Sequence, residues 1–485
     1  MICLSRHQKD DIGLRFVLDR LNIRTPYGAD IVSELKPFTP EEKDLLAEEL
    51  DNLGRIKGAC DSPEFSAVLN ILPQFKDIRP AVEKCLRDGY VLNEVELFEI
   101  KNFLLSLEEL DEALIWLQGV LGLTCDLPQR MQPALALLDP EGDRLRTFYI
   151  ADSATPKLSE IRAEKRRLES AIAASGDEEN KRLLRDKRLL AVCAEEDEEL
   201  AIRRKLTAGI FSHTADFFAN TSAIGHLDLL MQKALLAAKN GAVRPLILES
   251  GYDPELVFDE VYNPYVASLL KKSRKEFTPV SIRLRRGTTI LTGANMGGKS
   301  VALKTFMLNI ILFQMGFYVF AAKAALPLFD SVHLISEETQ SASRGLSSFA
   351  AEVVRLRDIS LDLENGLSFV ALDEFARGTN PSEGAALARA VARYLNGKNA
   401  VSILTTHYDN VSSNEFINYQ VIGLRNLDIE KFRMDLHQGG GNSAALIAEH
   451  MDYHLRESDE DPPKDAVNIC KLLDLSDEIL GLLHN

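Results

Sequence analysis

Residues 292–300 read TGANMGGKS. Gly293 to Ser300 fits G-x-x-x-x-G-K-[ST] without a gap, a loop whose backbone N–H groups cradle phosphates. The flanks supply the context such a loop needs. TTILTG (288–293) is a β-rich run that ends in the loop, and SVALKT (300–305) opens a helix. Backbone N–H groups and the helix N-terminus then converge on a β-phosphate. The loop and its first helical residues, Gly293, Ala294, Asn295, Met296, Gly297, Gly298, Lys299, Ser300 and Val301, are the candidate nucleotide contacts. Lys299 would reach the β- and γ-phosphates of ATP, and the Ser300 hydroxyl would ligate Mg²⁺.

Two further strands point to the same site. SFVALDEF (368–375) is an apolar run ending in adjacent carboxylates. Asp373 at its end can hold Mg²⁺ through water, and Glu374 can polarise an attacking water. VSILTTH (401–407) puts His407 just past another strand, where a γ-phosphate sensor would sit. Outside this region VSIRL (280–284) is β-rich too, and helical stretches separate the strands: SVALKTFMLNIILFQMGF, FAAEVVRLRDISLDLENG and EGAALARAVARYLNG. Alternating strand and helix predicts an α/β domain with a largely parallel sheet.

Upstream the period is different. EEKDLLAEELDNLGRI (41–56) and EVELFEIKNFLLSLEELDEALIWL (94–117) carry apolar residues three and four apart, predicting helices. Turn residues Asp139–Asp143 suggest a short hairpin over 135–152. Residues 157–190 are charged and helical in period, with a break at Ser175-Gly176-Asp177, and predict two antiparallel helices projecting into solvent. Between Lys157 and Arg188 there are ten Lys/Arg against seven Asp/Glu, with Lys181, Arg182, Arg185, Lys187 and Arg188 near the expected tip. Such a patch would neutralise a few DNA phosphates. The plainer alternative is a solvated hairpin laced by i,i+4 ion pairs, each worth roughly 0.2–0.5 kcal/mol.

Bulk properties narrow the classes. A length of 485 residues implies two to four domains. The net charge of −17 gives no whole-molecule attraction to nucleic acid. Six cysteines, at 3, 60, 85, 125, 193 and 470, form no C-x-x-C pair and read as reduced thiols of a cytoplasmic protein. The N-terminus has no apolar signal segment. The apolar run Phe306–Ala322 contains Asn309 and Gln314 and reads as a buried core helix, so no membrane association is expected.

TGANMGGKS, LSSFAAE (346–352), ALDEFARGT (371–379) and TTHY (405–408), in this order, resemble the ATPase core of MutS proteins, part of the wider ABC-type ATPase class. The resemblance implies an α/β P-loop ABC-type ATPase domain, preceded by an all-α core and clamp and followed by short dimerisation helices. Asn295 and Met296 match the central pair of the family's loop, and Ser347 matches its signature serine, which reaches across a dimer to the γ-phosphate of the other subunit. Asp373 and Glu374 match the Mg²⁺-site and water-activating acids, Arg377-Gly378-Thr379 the loop after them, and His407 the switch histidine. Ser347, Glu374 and His407 are thus the implied catalytic set, with Ser300 and Asp373 at the metal. Ala294 stands where the family usually has proline, and Ala376 where it often has glycine. LKT after the loop, LSSF and NPSEGAALARAV lie closer to the recombination-suppressing branch than to the mismatch-repair branch.

Weaker similarity extends over 14–38, 77–97, 150–169 and 465–480. It implies a helical core over 1–155, short clamp-like arms over 156–205, a return of the core over 206–243, the ATPase domain over 244–435 and dimerisation helices over 436–485. The chain begins at the core, so a mismatch-reading aromatic wedge is not expected; Phe258-Asp259-Glu260 reads as structural. Nuclease activity is not expected either. Two functions fit: a DNA-binding ATPase clamp, as homodimer or heterodimer, or an ATP-driven remodeller of a protein client. Short MutS-like chains of the second kind resemble the ATPase subunit of reactivating factors for lysine aminomutase, a cobalamin-dependent enzyme.

Overall fold

The computed structural model describes residues 2–249, 254–293, 298–336, 348–408, 411–424, 450–458 and 479. The chain divides into two units. One comprises 1–22, 35–57 and 233–485, and the other 23–34 and 58–232. The expected helical block 1–155 is therefore shared between the two.

The strands all fall in the first unit: β1 (Leu246–Leu248), β2 (Leu256–Val261), β3 (Val280–Leu284), β4 (Gly287–Thr292), β5 (Lys323–Pro327), β6 (Ser331–Ile335), β7 (Ser368–Asp373), β8 (Ala400–Thr405), β9 (Ile417–Gly423) and β10 (Asp452–Glu457). A six-stranded sheet has the order β10-β9-β4-β8-β7-β6. It is parallel throughout except at β10, which pairs antiparallel with β9. A four-stranded sheet has the order β1-β5-β2-β3 and is mostly antiparallel.

The parallel strands are buried along nearly their whole length, apolar and polar residues alike, because both faces are covered. On one face Ile290, Val370, Leu372 and Leu404 cluster with Ala388, Val391, Ala392 and Leu395 of the helix Pro381–Asn396. Those four helical residues fall at i, i+3, i+4 and i+7, one stripe. Fully burying a valine or leucine is worth about 1.5–3 kcal/mol. The alternate residues Leu291, Phe369, Ala371 and Ile403 are just as buried. The helix Lys299–Gln314 packs on β7 and β8 and is buried from Ala302 to Gln314 except at Lys304. Its polar residues are paired inside: the Asn309 amide donates to Tyr262 O and accepts from Phe320 N–H, and Gln314 donates to Phe329 O. The apolar run 306–322 is thus a core helix followed by a turn into β5. Phe258 is buried on β2 and stacks on Phe306. Among the described residues no helix is long and apolar enough to cross a membrane.

The N-terminal segments belong to this unit through specific bonds. The Gln8 side chain donates to Leu334 O on β6, Lys304 pairs with Asp11 at 2.6 Å, and Lys233 pairs with Glu49 at 2.7 Å.

The second unit is helical among its described residues, around an aromatic cluster in which Phe103 meets Phe75, Phe217 and Tyr27. The expected hairpin over 135–152 does not form. Residues 132–138 are helical, and residues 139–152 contain no strand. Asp139 instead accepts from the Arg144 backbone N–H and guanidinium and from Lys101, so side chains rather than a cross-strand ladder tie the turn. The two expected arm helices are Pro156–Ala174, capped by Thr155, and Glu178–Phe211, capped by Asp177. The turn between them falls at Ser175–Asp177, as the sequence indicates.

One expectation about the C-terminal part is corrected. Within 436–485, expected as helices, Asp452–Glu457 is strand β10, because its backbone completes the edge of β9. The helical stretches expected over 465–480 lie outside the described residues, except Ile479.

Candidate functional site

The parallel register creates the site. Thr405 lies opposite Asp373 on one side and Leu291 on the other. The carboxyl ends of β7, β8 and β4 therefore finish side by side, which is where open α/β sheets bind ligands. Gly298 then caps the helix Lys299–Gln314 with φ of +76°, a left-handed conformation that a side chain would disfavour. That turn brings Lys299 and Ser300 back over the strand ends. Ala294, Asn295, Met296 and Gly297 lie outside the described residues, as does Ser347. Val301 is in the first turn of the helix.

The side chains converge around Asp373. Its Oδ1 accepts from Ser300 Oγ at 3.0 Å and from Thr405 Oγ1 at 2.7 Å. Burial pushes the Asp373 carboxyl above its usual range, and the two hydroxyls oppose that shift. Lys299 is 3% exposed; its Nζ donates to Gly293 O at 2.7 Å and stands 3.8 Å from Glu374 Oε1. Burial pulls the Lys299 ammonium down, while Glu374 and Asp373 hold it up. Donors here are hydroxyl and carboxylate oxygens, the set that suits Mg²⁺ rather than a soft metal.

Glu374 is set by backbone as well as charge. Its φ is +50°, and its N–H is held by both Thr405 Oγ1 at 3.0 Å and Thr405 O at 3.2 Å. Arg377 donates to Glu374 Oε2 at 2.8 Å. Ala376 has φ of +64°, the region glycine adopts freely. Its backbone is over-determined. The N–H donates to Glu352 Oε2 at 2.8 Å, and the carbonyl accepts from Tyr408 Oη and Thr379 Oγ1, both at 2.8 Å. Strained non-glycine residues of this kind persist where the surroundings fix them, and they cluster at functional sites.

Lys299, Ser300, Asp373 and Glu374 are thus brought together. His407 is not. It is exposed, its ring lies against Tyr408 at 4.5 Å, and it hydrogen-bonds to none of those four. It lines an open cleft of about 730 Å³ with Pro381, Ser382, Arg389, Arg393 and Tyr408. Sequence reasoning missed three residues. Thr405 stood in the quoted TTHY and Glu352 closed the quoted LSSFAAE, but their partners are set by register and turn, not by spacing. Tyr408 was passed over beside His407.

The arm residues are mostly committed elsewhere. Of the ten basic residues from Lys157 to Arg188, seven form ion pairs: Lys157, Arg162, Lys165, Arg166, Arg167, Lys181 and Arg188. Several run between the helices, as Arg162 does to Glu195 and Glu199 and Arg188 to Glu169. Arg182, Arg185 and Lys187 form no ion pair among the described residues. At about 3.6 residues per turn Lys187 faces away from Arg185. Leu183, Leu189 and Leu190 are exposed beside them.

Comparison with known proteins bears on the same segment. Residues 289–437 match the family model of MutS domain V. Endonuclease MutS2 of Halothermothrix orenii is 26% identical over 522 residues, covering 89% of this chain and 61% of the relative. DNA mismatch repair protein MutS of Solibacter usitatus is 32% identical over 240 residues, covering 48% of this chain and 27% of the relative. Endonuclease MutS2 of Pelotomaculum thermopropionicum is 33% identical over 230 residues, covering 46% and 27%. The chain thus spans less than two thirds of the length of these relatives.

Proposed function

We propose, from the premise that this chain belongs to the MutS family through its domain V, that it is an ATP-hydrolysing switch of the P-loop, ABC type. The observation that carries the reading is the convergence of Ser300, Thr405 and Asp373 at the ends of adjacent parallel strands, with Lys299 and Glu374 beside them.

Each residue has a role. Lys299 would turn from Gly293 O and Glu374 to the β- and γ-phosphates. Ser300 Oγ and the Asp373 carboxylate would hold Mg²⁺, which supplies charge neutralisation between the phosphates. Glu374, fixed at its amide by Thr405, would accept a proton from the attacking water. The Arg377 guanidinium would leave Glu374 for solvent or phosphate as that water enters. Ser347 and His407 are assigned to the γ-phosphate, Ser347 from the second subunit of a homodimer or heterodimer. Closure of two subunits over shared nucleotide would then be relayed to the arm helices.

The client that best fits the family is DNA. The relatives' names refer to mismatch repair and to an endonuclease, and Arg182, Arg185 and Lys187 offer charge for phosphate contacts. A second reading, a protein client, is favoured by one observation: exposed Leu183, Leu189 and Leu190 accompany those few uncommitted cations on a chain of net charge −17. The lysine-aminomutase reactivase is one form of this reading. Steady-state ATP hydrolysis near physiological salt, alone and with linear, mismatched or branched DNA, separates them. Stimulation by one DNA form supports the first; Mg²⁺-dependent turnover indifferent to all of them supports the second. No turnover under any condition overturns the ATPase reading.

A further inference from the structure

A second group of ligand-bearing side chains lies at the β6 edge of the six-stranded sheet. Ile2 forms a parallel bridge with Val332, and Cys3 N–H donates to Val332 O at 2.9 Å. This lays the N-terminal segment along the outer side of β6, and Arg355 fastens it by donating to Cys3 O. His333 is 1% exposed in the middle of β6, an otherwise apolar strand but for Ser331. Asp362 ends the helix Ser348–Asp362. Three segments far apart in sequence thus bring a thiol, an imidazole and a carboxylate together, and their donor atoms all lie within 4.8 Å of one another.

Two of the three separations match a coordination shell. His333 Nε2 is 3.5 Å from Asp362 Oδ2, and Cys3 Sγ is 3.8 Å from the same oxygen. Tetrahedral Zn²⁺, with bonds of about 2.0–2.2 Å to N and O and about 2.3 Å to S, requires about 3.4 Å for N···O and about 3.6 Å for S···O. Both observed separations are close to those values. A fourth donor is near in Ser331 Oγ, now hydrogen-bonded to the same ring nitrogen at 2.9 Å, which would move apart by about 0.5 Å to join the shell. Ser331 Oγ also contacts Ser368 Oγ at 2.8 Å, which anchors it to β7. Thiolate and imidazole ligands select a borderline-soft ion over Mg²⁺ or Ca²⁺.

We propose that Cys3, His333 and Asp362 bind one Zn²⁺, with Ser331 Oγ or a water in the fourth position. The thiol proton is released to solvent on binding. The ion ties the N-terminal segment to the edge strand and to the end of the helix Ser348–Asp362. An otherwise open sheet edge is covered in the process.

Cobalt titration of the full chain tests this, because Co²⁺ bound by thiolate has a sulfur-to-metal charge-transfer band. The oxygen donors at Ser300 and Asp373 cannot produce one. The expected result is a band saturating at one equivalent, displaced by Zn²⁺. It should be absent in Cys3→Ala and retained in Cys193→Ala, which removes an exposed thiol. Zn²⁺ affinity, measured by chelator competition, should fall in Asp362→Ala by no less than the roughly 10–100-fold that losing an outer-shell partner costs. Zn²⁺ should raise the melting temperature of the wild type and not of Cys3→Ala. Cys3→Ala is expected to fold, since Cys3 sits on a surface strap, and its circular dichroism checks that. No charge-transfer band in the wild type, or an equal band in folded Cys3→Ala, overturns the proposal.

Discussion

Replacing Thr405 by valine keeps the shape of the side chain and removes only its hydroxyl. In the native chain that hydroxyl donates to Asp373 Oδ1 at 2.7 Å and accepts from Glu374 N–H at 3.0 Å. Thr405 is fully buried, so no water replaces what is lost. A hydrogen bond to a charged group is worth about 1.5–3 kcal/mol. The Glu374 amide keeps its second acceptor, Thr405 O. The cost therefore falls mainly on the Asp373 carboxylate, which burial already disfavours in its charged form. If that support is felt fully at the reacting centre, kcat/KM for Mg·ATP should fall about ten- to hundredfold, at about 1.4 kcal/mol per decade. Thr405→Ser restores the hydroxyl and should recover most of the activity. The assay is steady-state phosphate release at varied Mg·ATP, with urea unfolding to show that both variants are folded. Wild-type activity in Thr405→Val would refute the reasoning. So would an equal loss in Thr405→Ser, which would assign the effect to the methyl group.

Three other perturbations test different parts of the molecule. Gly384→Ala would put a Cβ 2.3 Å from Tyr408 Oη and 3.0 Å from Ala376 O, so urea unfolding should register a loss of about 1–3 kcal/mol. Adding Tyr408→Phe removes the clashing oxygen but leaves the ring Cζ at 2.7 Å, so it should recover part of the loss; no recovery would mean that the ring carbon and the backbone contact dominate. Asp228 is buried with Oδ2 accepting from Arg24 N–H, Thr25 N–H and Thr25 Oγ1, and burial raises its carboxyl above the usual range. A raised folded value means the native state holds the proton more tightly, so this group's penalty is relieved as pH falls through that value. The stability difference between wild type and Asp228→Asn should move in favour of the wild type from neutral to mildly acidic pH; a flat difference would contradict the shift. Reversing Arg182, Arg185 and Lys187 to glutamate should weaken DNA binding and reduce the salt slope of log K by up to about three, read by fluorescence anisotropy. Unchanged affinity and slope would remove the arm tip as a DNA surface.

What the sequence made legible was local. The glycine loop, the acidic end of β7 and the threonine-rich end of β8 each stand out within nine residues, and alternation of strand and helix around them implies the parallel sheet. Strands β1, β2, β5, β6, β9 and β10 were not legible. Lys323–Pro327 comes after a long apolar helix without a clear break, and Asp452–Glu457 carries too many polar residues to stand out from a tail. Their pairing comes from neighbours distant in the chain. The hairpin over 135–152 failed for the reverse reason: the turn residues are present, but Asp139 commits its acceptors to Arg144 and Lys101. The partners of Thr405, Glu352 and Cys3 are likewise products of register. No spacing rule links Cys3 to His333 and Asp362.

Central to the proposed function is that Glu374 activates water for an ATP bound over Lys299, Ser300 and Asp373. The most direct test is Glu374→Gln, assayed in parallel for Mg·ATP binding and for hydrolysis. Retained binding is expected, with hydrolysis lower by about 10²–10⁴-fold and a dimer that persists with ATP. Turnover equal to the wild type, or loss of binding along with turnover, would contradict it.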